Sequence, residues 1–276
     1  MKKNNKFIIV GAGPSGLSSA YELLKVDSDV VLFEKSTDIG GLSRTIKHGN
    51  CSYDIGPHRF FTLNKEVEKL YLEILGDKKI EVNRLTRILY NNKLFLYPLS
   101  PFNTLVKLGL FNAILIFFSY INSLIKKIFF KSKPKNFEDW VISNFGKQLY
   151  KTFFKSYTEK IWGISCNKIS SQWAAQRIKN LSFTSVLINP IKKRFSKKKI
   201  KSLVDRFYYP KYGAGFFYEL LSKKIINNNG IINLNYELIS INIENEKVKS
   251  VSFKKDNEIY SFSADYYIFS CPFTKI

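Results

Sequence analysis

The first 34 residues impose the strongest constraint on what this chain can fold into. A short apolar run, Phe7–Val10, leads into the turn Gly11-Ala12-Gly13-Pro14-Ser15-Gly16 and a helical run to Lys25. A second apolar run, Val30–Phe33, then ends at Glu34. Continuous apolar runs of this length indicate strands that are buried on both faces. A strand, a glycine turn, a helix and a second strand that ends in an acid are typical of a dinucleotide-binding βαβ unit.

Each part of this unit has a predicted task. Gly11 allows the tight turn out of the strand, Gly13 lets a pyrophosphate approach the backbone, and Gly16 lets the helix pack closely on the sheet. The helix N-terminus directs free N–H groups at the phosphates. Glu34 can accept hydrogen bonds from ribose hydroxyls, which disfavours the 2′-phosphate of NADP and leaves NAD and FAD open.

Two further glycine segments follow the acid. In Gly40-Gly41-Leu42-Ser43-Arg44, paired glycines allow the backbone to approach a planar or anionic ligand, and Arg44 adds a fixed positive charge. In Asp54-Ile55-Gly56-Pro57-His58, the histidine comes directly after Gly-Pro and among aromatic residues. We predict that both segments lie near the cofactor; the alternatives are an ordinary loop and a structural histidine.

In this order, the motifs resemble the FAD-binding superfamily of amine oxidases, protoporphyrinogen oxidase and UDP-galactopyranose mutase. The resemblance implies FAD as the cofactor. It implies an α/β fold: a Rossmann-like FAD-binding domain, with a parallel sheet plus a β-meander, carrying an inserted and mostly helical substrate domain. The cofactor-binding residues that it implies are Gly11, Ala12, Gly13, Pro14, Ser15, Gly16, Glu34, Lys35, Gly41, Leu42, Arg44, Gly56, Pro57, His58 and Leu238.

A second stretch, residues 150–163, has aromatic residues at helical spacing, which on its own indicates core packing. It also resembles the helix of UDP-galactopyranose mutase that ends in Tyr-Thr-x-Lys-x-Trp-Gly, which implies Tyr157 and Trp162 as substrate-binding residues. Arg177 falls one residue away from the position of a mutase arginine that binds the diphosphate, so we expect it to contact substrate. The candidate catalytic residues are His58 and Arg177.

The likeness to the mutase then weakens. Leu181 stands where the mutase has a second arginine, and residues 209–215 resemble the Tyr-Pro-x-x-Gly-x-Gly turn of bacterial oxidoreductases. The resemblance therefore favours an FAD-dependent oxidoreductase acting on an amine or a porphyrinogen-like substrate. The alternative is a mutase-like isomerase that acts on a UDP-sugar in cell-surface polysaccharide synthesis, and a third is a non-catalytic remnant.

Patterning places the FAD-binding domain at 1–95 and 206–276 and the helical substrate domain at 96–205. We expect a helix over Lys65–Leu75, then strands Arg84–Tyr90 and Leu94–Tyr97 around an Asn91-Asn92 turn. Helical structure is expected over about 100–132 and 216–226, followed by five short strands between 231 and 270. The chain stops soon after Ser270-Cys271-Pro272. We expect it to be the N-terminal part of a longer protein and to hold FAD weakly or not at all.

The net charge is +22. We interpret it as a compositional bias spread over the chain, apart from the basic clusters 126–135 and 192–201, and expect no nucleic-acid partner. The apolar run 108–130 is interrupted by polar residues, so we expect a buried or surface-lying helix, with peripheral contact to anionic lipid as a minority alternative. Three distant cysteines indicate free thiols, no metal site and a cytoplasmic location.

Overall fold

We analysed a computed structural model of the chain, described here for residues 5–96, 106–130, 133–177 and 206–272. The chain divides into two compact units: unit 1 is Met1–Asn83 with Arg206–Ile276, and unit 2 is Arg84–Asp205. The functions assigned to these two parts from the sequence stay predictions. The basic run 192–201, Tyr97 and the two ends of the predicted helical stretch 100–132 lie outside the described residues.

The elements of unit 1 are β1 (Lys6–Val10), α1 (Pro14–Leu24), β2 (Asp29–Phe33), β3 (Thr45–His48), β4 (Cys51–Asp54), α2 (Lys65–Leu75) and β5 (Lys79–Asn83), and later β8 (Arg206–Pro210), α8 (Gly215–Asn227), β9 (Ile231–Asn233), β10 (Glu237–Glu244), β11 (Lys247–Lys255), β12 (Glu258–Phe262) and β13 (Tyr266–Phe269). Those of unit 2 are β6 (Arg87–Tyr90), β7 (Lys93–Leu96), α3 (Leu110–Phe130), α4 (Phe137–Phe145), α5 (Lys147–Leu149), a π-helical segment (Tyr150–Lys155), α6 (Ser156–Trp162) and α7 (Ser171–Arg177).

The central sheet of unit 1 has four parallel strands in the order β13-β1-β2-β9. One side is covered by α1, α2 and α8, whose apolar residues share a core with Ile9 and Leu32. The other side meets the antiparallel meander β10-β11-β12, where Phe253 stacks on Phe33 at a ring-centroid distance of 4.2 Å. The predicted fold class, a Rossmann-like parallel sheet with a β-meander and helices, is confirmed.

A long-range strand pair is the main departure from the expected secondary structure. The predicted strand Arg84–Tyr90 is wrong in its first part, because β5 ends at Asn83 and β6 begins only at Arg87. Strand β5 pairs antiparallel with β8, which the pattern did not predict. Its residues Lys79–Asn83 alternate polar and apolar side chains, but the partner strand lies more than 120 residues away. Local patterning carries no signal for such a pair.

Unit 2 is built around an aromatic and aliphatic core. The hairpin β6–β7 turns at Asn91 and Asn92, whose φ values of 46° and 57° confirm the predicted Asn-Asn turn. Phe95 of β7 is completely buried and meets Phe153 edge-on at 5.2 Å. Asn136 caps α4 by accepting a hydrogen bond from the Asp139 N–H at 2.9 Å, at the predicted helix entry.

Charge is divided unequally between the two units. Residues 84–205 contain 23 Lys and Arg but only four Asp and Glu, so unit 2 carries +19 of the net +22. The two basic clusters noted above contribute 12 of those 23 residues. Outside these two clusters, which were excepted from the expected spread, unit 2 still has 11 basic and four acidic residues, against 21 and 18 in unit 1.

Helix α3 is apolar on more than one side. It buries Ala113, Ile116 and Tyr120 in unit 2, while most of its other large apolar side chains are exposed. Among the described residues, one helix, Leu110–Phe129, passes a length and composition test for crossing a membrane. By itself, this is weak evidence of a span, since core helices of other proteins pass the same test.

Candidate dinucleotide-binding site

The first glycine turn lies at the carboxyl end of β1. Gly11 has a φ of +106°, which a residue with a side chain rarely adopts. A Cβ on Gly16 would lie 1.9 Å from the Gly11 carbonyl oxygen, so the close approach of α1 to the turn requires glycine. A Cβ on Gly13 would meet nothing within 4 Å. Gly13 therefore faces open space at the helix N-terminus, where a phosphate group would be placed.

Glu34 follows β2 directly and braces the same turn. One carboxylate oxygen accepts a hydrogen bond from the Ala12 N–H at 2.7 Å, and the other accepts from the Ser36 N–H at 2.9 Å. An ionised carboxylate has about four acceptor positions, so each oxygen keeps capacity for a ribose hydroxyl. The neighbouring Lys35 is exposed.

The paired glycines pack against the first turn. The Gly40 N–H donates to the Ala12 carbonyl at 2.8 Å, and a Cβ on Gly41 would lie 3.1 Å from the Gly13 Cα. The short 3-10 turn Gly41–Ser43 is closed by Arg44, whose guanidinium donates to the Gly41 carbonyl at 3.2 Å. Leu42 is 76% exposed. One continuous backbone surface around Gly13 is thus formed by three segments that the sequence predicted separately, namely the first glycine turn, Glu34 and the paired glycines.

His58 lies beside this surface. Its Nδ1 is 3.5 Å from the Ser43 hydroxyl oxygen, and its Nε2 is buried with no hydrogen-bond partner among the described residues. The preceding Gly56 has a φ of +115°, and Pro57 is exposed. Tyr218 of α8 shares a hydrogen bond with the Ser43 side chain, while burial raises the pKa of its phenol. A buried nitrogen without a partner is uncommon in folded proteins, so Nε2 is available to hydrogen-bond a polar ligand.

Asp54 holds the start of α8 to the β3–β4 hairpin, a role that the sequence did not reveal. Its carboxylate accepts from the Thr45 hydroxyl at 2.6 Å, from the Ala214 N–H at 3.0 Å and from the Tyr209 hydroxyl. Thr45 in turn accepts from the Gly215 N–H at 2.9 Å. A groove of about 430 Å³ borders this network. The Asp54-x-Gly56 and Tyr209-Pro210 motifs were visible in the sequence, but nothing local indicated that they meet.

Ser270 is a second residue that sequence reasoning missed. Its hydroxyl lies 3.0 Å from the carbonyl oxygens of both Val10 and Gly11, so it ties the end of β13 to the glycine turn. A Cβ on Gly11 would lie 2.8 Å from that hydroxyl oxygen. Burial, and then the nearby Glu34 carboxylate, raise the pKa of the adjacent Cys271 thiol.

The remaining predicted site residues lie on other elements of the fold. Leu238 is in β10 and packs with the meander core. In unit 2, Tyr157 and Trp162 lie on α6 with exposed fractions of 66% and 46%, and Trp162 meets Trp173 edge-on at 5.0 Å. Arg177 is the last residue of α7. Within the described ranges, no group of three or more His, Cys, Asp or Glu residues could hold a metal ion.

Residues 9–74 match the family model of the NAD(P)-binding Rossmann-like domain. Over 171 residues the chain is 29% identical to a probable UDP-galactopyranose mutase of Klebsiella pneumoniae, covering 60% of this chain and 43% of that protein. It is 24% identical to the coproporphyrinogen III oxidase of Staphylococcus aureus, covering 91% of this chain and 58% of the oxidase. The crystal structure of reduced UDP-galactopyranose mutase superposes with a TM-score of 0.81 at 21% identity, covering 99% of this chain and 56% of that one.

The chain thus spans about half the length of these relatives. The likeness to the mutase structure supports the fold. At 21% identity it supports nothing beyond the fold. The two curated relatives come from the two branches that the motifs resemble, a mutase and a porphyrinogen oxidase. The chain therefore has a Rossmann-like region at its start and is similar to a UDP-galactopyranose mutase and to a coproporphyrinogen oxidase, the two branches whose motifs it resembles.

Proposed function

We propose that the chain is part of an FAD-dependent oxidoreductase of the amine oxidase and protoporphyrinogen oxidase-like type, acting on a small-molecule substrate in the cytoplasm. The observation that carries the proposal is the continuous backbone surface around Gly13. It joins the open position at Gly13, the Glu34 carboxylate and the Gly40–Gly41 loop. A simple dinucleotide turn requires only the open position and the carboxylate, whereas the paired glycines add a second backbone segment that packs against Gly13, as in the FAD-binding proteins that the motifs resemble.

The residues present fit FAD. Gly13 leaves space for the pyrophosphate, and the buried Nε2 of His58 lacks a hydrogen-bond partner among the described residues. We assign Gly11, Gly13, Ser15 and Gly16 to the pyrophosphate and Glu34 to the ribose. Gly41, Leu42, Arg44, Pro57 and His58 would lie toward the flavin, and Leu238 toward the adenine.

When bound, FAD would accept a hydride from the substrate and pass the electrons to a further acceptor. The chain's own residues would orient the cofactor and set its electrostatic surroundings. Arg44 would place a positive charge beside the flavin end, and Ser43 would hold the ring of His58 through Nδ1, leaving Nε2 to hydrogen-bond the ligand. Arg177 would bind an anionic part of the substrate.

A mutase-like isomerase that acts on a UDP-sugar is the second candidate. The observation in its favour is the match over 171 residues to a probable UDP-galactopyranose mutase. In this candidate, the exposed rings of Tyr157 and Trp162 would stack on the substrate, since aromatic faces of this kind bind planar bases.

The first test is the visible absorption spectrum of the purified chain, with and without added FAD. Because the chain spans about half the length of its relatives, we expect weak binding, seen as a change in the flavin spectrum only at high FAD concentrations. Arg44→Ala should weaken FAD binding about tenfold, whereas Arg87→Ala, in unit 2, serves as the matched control. If saturating FAD leaves the spectrum that of free flavin, and calorimetry detects no heat, this chain does not hold the cofactor and the proposal fails.

UDP separates the two candidates. If the chain is mutase-like, UDP should quench tryptophan fluorescence, and Trp162→Phe should remove most of the quenching while leaving FAD binding intact. We expect no quenching for the oxidoreductase. Saturable quenching by UDP would move the assignment to the isomerase.

A further inference from the structure

The outer face of α3 is an unusual surface. Phe111, Phe118 and Phe129 are 73%, 64% and 77% exposed. They stand in a row on one side of the helix. The other large apolar residues exposed on this helix are Leu110, Ile114, Leu115, Phe117, Ile125 and Ile128. We call these nine residues the α3 outer face.

Helical geometry shows how wide this face is. At 100° per residue, the nine side chains cover an arc of about 160°, and Ala113, Ile116, Tyr120 and Ser123 fall on the opposite side. That opposite side is buried in unit 2. A surface helix normally presents polar residues to water. An outer face that is apolar instead is typical of a surface that binds a second apolar partner.

Unit 2, which carries this face, has a large excess of positive charge. The sequence contains no Asp or Glu between Glu81 and Glu138, and unit 2 as a whole carries +19. Lys126, near the end of α3, and Lys133 and Lys135 just beyond it are exposed. An apolar strip with lysines at its end matches the two layers of a lipid surface, acyl chains beneath anionic headgroups.

We propose that the α3 outer face docks on the surface of a membrane that contains anionic phospholipids, with the helix lying in the plane of the interface. The helix would not span the bilayer, because its other side packs in the core of unit 2 with α4 and α5. A second copy of the chain, docked through the same face, would bring one unit of net charge +19 against another. A nucleic acid would engage the lysines but would leave nine apolar side chains in water.

Vesicle sedimentation of the full chain tests the proposal. We expect the chain to pellet with vesicles of 70% phosphatidylcholine and 30% phosphatidylglycerol at 100 mM salt, and at least tenfold less with pure phosphatidylcholine. The triple variant Phe111→Ser, Phe118→Ser, Phe129→Ser should bind at least tenfold more weakly. Replacing Lys126, Lys133 and Lys135 by Gln should weaken binding about fivefold for each lysine, since each contributes a separate attraction to anionic lipid.

The matched control is Val26→Ser, Ile243→Ser, Ile259→Ser, which removes three equally exposed apolar residues from unit 1. It should bind vesicles within twofold of the wild type. Circular dichroism checks the folding of each variant. If the triple phenylalanine variant fails to fold, the single change Phe118→Asp, at an exposed position, replaces it and should show the same loss.

Two results would overturn the proposal. The first is that the wild type does not sediment with anionic vesicles. If, in addition, analytical ultracentrifugation shows a dimer of the wild type and a monomer of the phenylalanine variant, the outcome identifies a different partner. That case would assign the face to a second copy. The second is equal sedimentation of the phenylalanine variant and the wild type, which would leave lysines as the only contact. Sedimentation does not depend on flavin, so loss of FAD binding leaves the result unaffected.

Discussion

The two units of this chain are held together in different ways. In unit 1, polar side chains fasten segments that are far apart in sequence: Asp54 binds Ala214, Thr45 binds Gly215, and Ser270 binds Gly11. Its net charge is only +3. Unit 2 has an aromatic core, an exposed apolar helix face and +19. A backbone that must fit a dinucleotide closely is fixed by directional bonds, whereas a surface that meets a soft or variable partner needs only apolar area and charge.

This comparison can be measured one unit at a time. The three tryptophans, Trp140, Trp162 and Trp173, all lie in unit 2, so tryptophan fluorescence follows that unit separately. Circular dichroism follows both units, and FAD binding follows unit 1. The predictions below run from the largest expected effect to the smallest.

Phe95→Ala should have the largest effect. The ring is fully buried and meets Tyr90 and Phe153, so its removal should lower the free energy of unfolding of unit 2 by about 3–5 kcal/mol. Urea unfolding followed by tryptophan fluorescence measures it. Leu94→Ala, at the neighbouring exposed position, is the control. Similar urea midpoints for the two variants would contradict a unit held by its aromatic core.

Gly16→Ala tests the close packing in unit 1. The added Cβ would lie 1.9 Å from the Gly11 carbonyl oxygen, so we expect a loss of about 3 kcal/mol. In Gly13→Ala the new methyl group meets no protein atom within 4 Å, and stability should change by less than about 1 kcal/mol while FAD binding falls. Urea unfolding by circular dichroism and FAD titration give both numbers. A stable Gly16→Ala variant would show that the turn is not as tight as described.

Asp54→Ala removes the acceptor shared by Thr45, Tyr209 and Ala214. Because a charged acceptor is lost and buried donors remain, we expect a loss of about 2 kcal/mol in unit 1. Tyr209→Phe, which deletes one donor, should lose about 1 kcal/mol. Urea unfolding followed by circular dichroism measures the loss, and tryptophan fluorescence shows how much of it belongs to unit 2. If the two variants lose the same stability, Asp54 does not act as a hub.

The last prediction concerns the share of a single phenol, Tyr71, in the loss of stability at alkaline pH. Burial, followed by the nearby Tyr218 and Asp54, raises the pKa of Tyr71, and burial raises that of Tyr218. The phenols ionise in the unfolded chain near pH 10 and later in the folded protein. The free energy of unfolding should therefore be unaffected by them below pH 10. Above pH 10, and up to the raised pKa of each phenol in the folded protein, the free energy of unfolding should fall by at most about 1.4 kcal/mol per pH unit for each phenol.

Tyr71→Phe should remove its share of this slope, and Tyr53→Phe, at an exposed position, is the control. Burial also raises the pKa of Tyr150 in unit 2, so the slope measured for the wild type includes a contribution from unit 2. The difference between the slopes of the wild type and Tyr71→Phe gives the contribution of Tyr71, which lies in unit 1. Urea midpoints measured by circular dichroism from pH 8 to 11 provide the test. Equal slopes for the two variants would contradict the burial of Tyr71.

Local patterns predicted the fold where the physical cause is local. The glycine turn, the hairpin at Asn91–Asn92 and the Asn136 cap all depend on residues within a few positions of one another. The β5–β8 pair, the Asp54 network and the Ser270 contact depend on residues more than 120 positions apart, and no local rule relates them. The roles of Tyr157, Trp162, Arg177 and Leu238 rest on resemblance and stay predictions.

The pairing of β1 with β13 has a consequence for synthesis on the ribosome. Residues 7–10 are synthesised long before residues 266–269, with which they pair. Ser270, whose contact completes the glycine turn, is synthesised after both. At about 5–20 residues per second, the nascent first strand would remain without this partner for about 10–50 s. During that interval the 122 residues of unit 2 emerge and can fold first. Chaperone dependence is therefore expected at the beginning of the chain rather than at its middle.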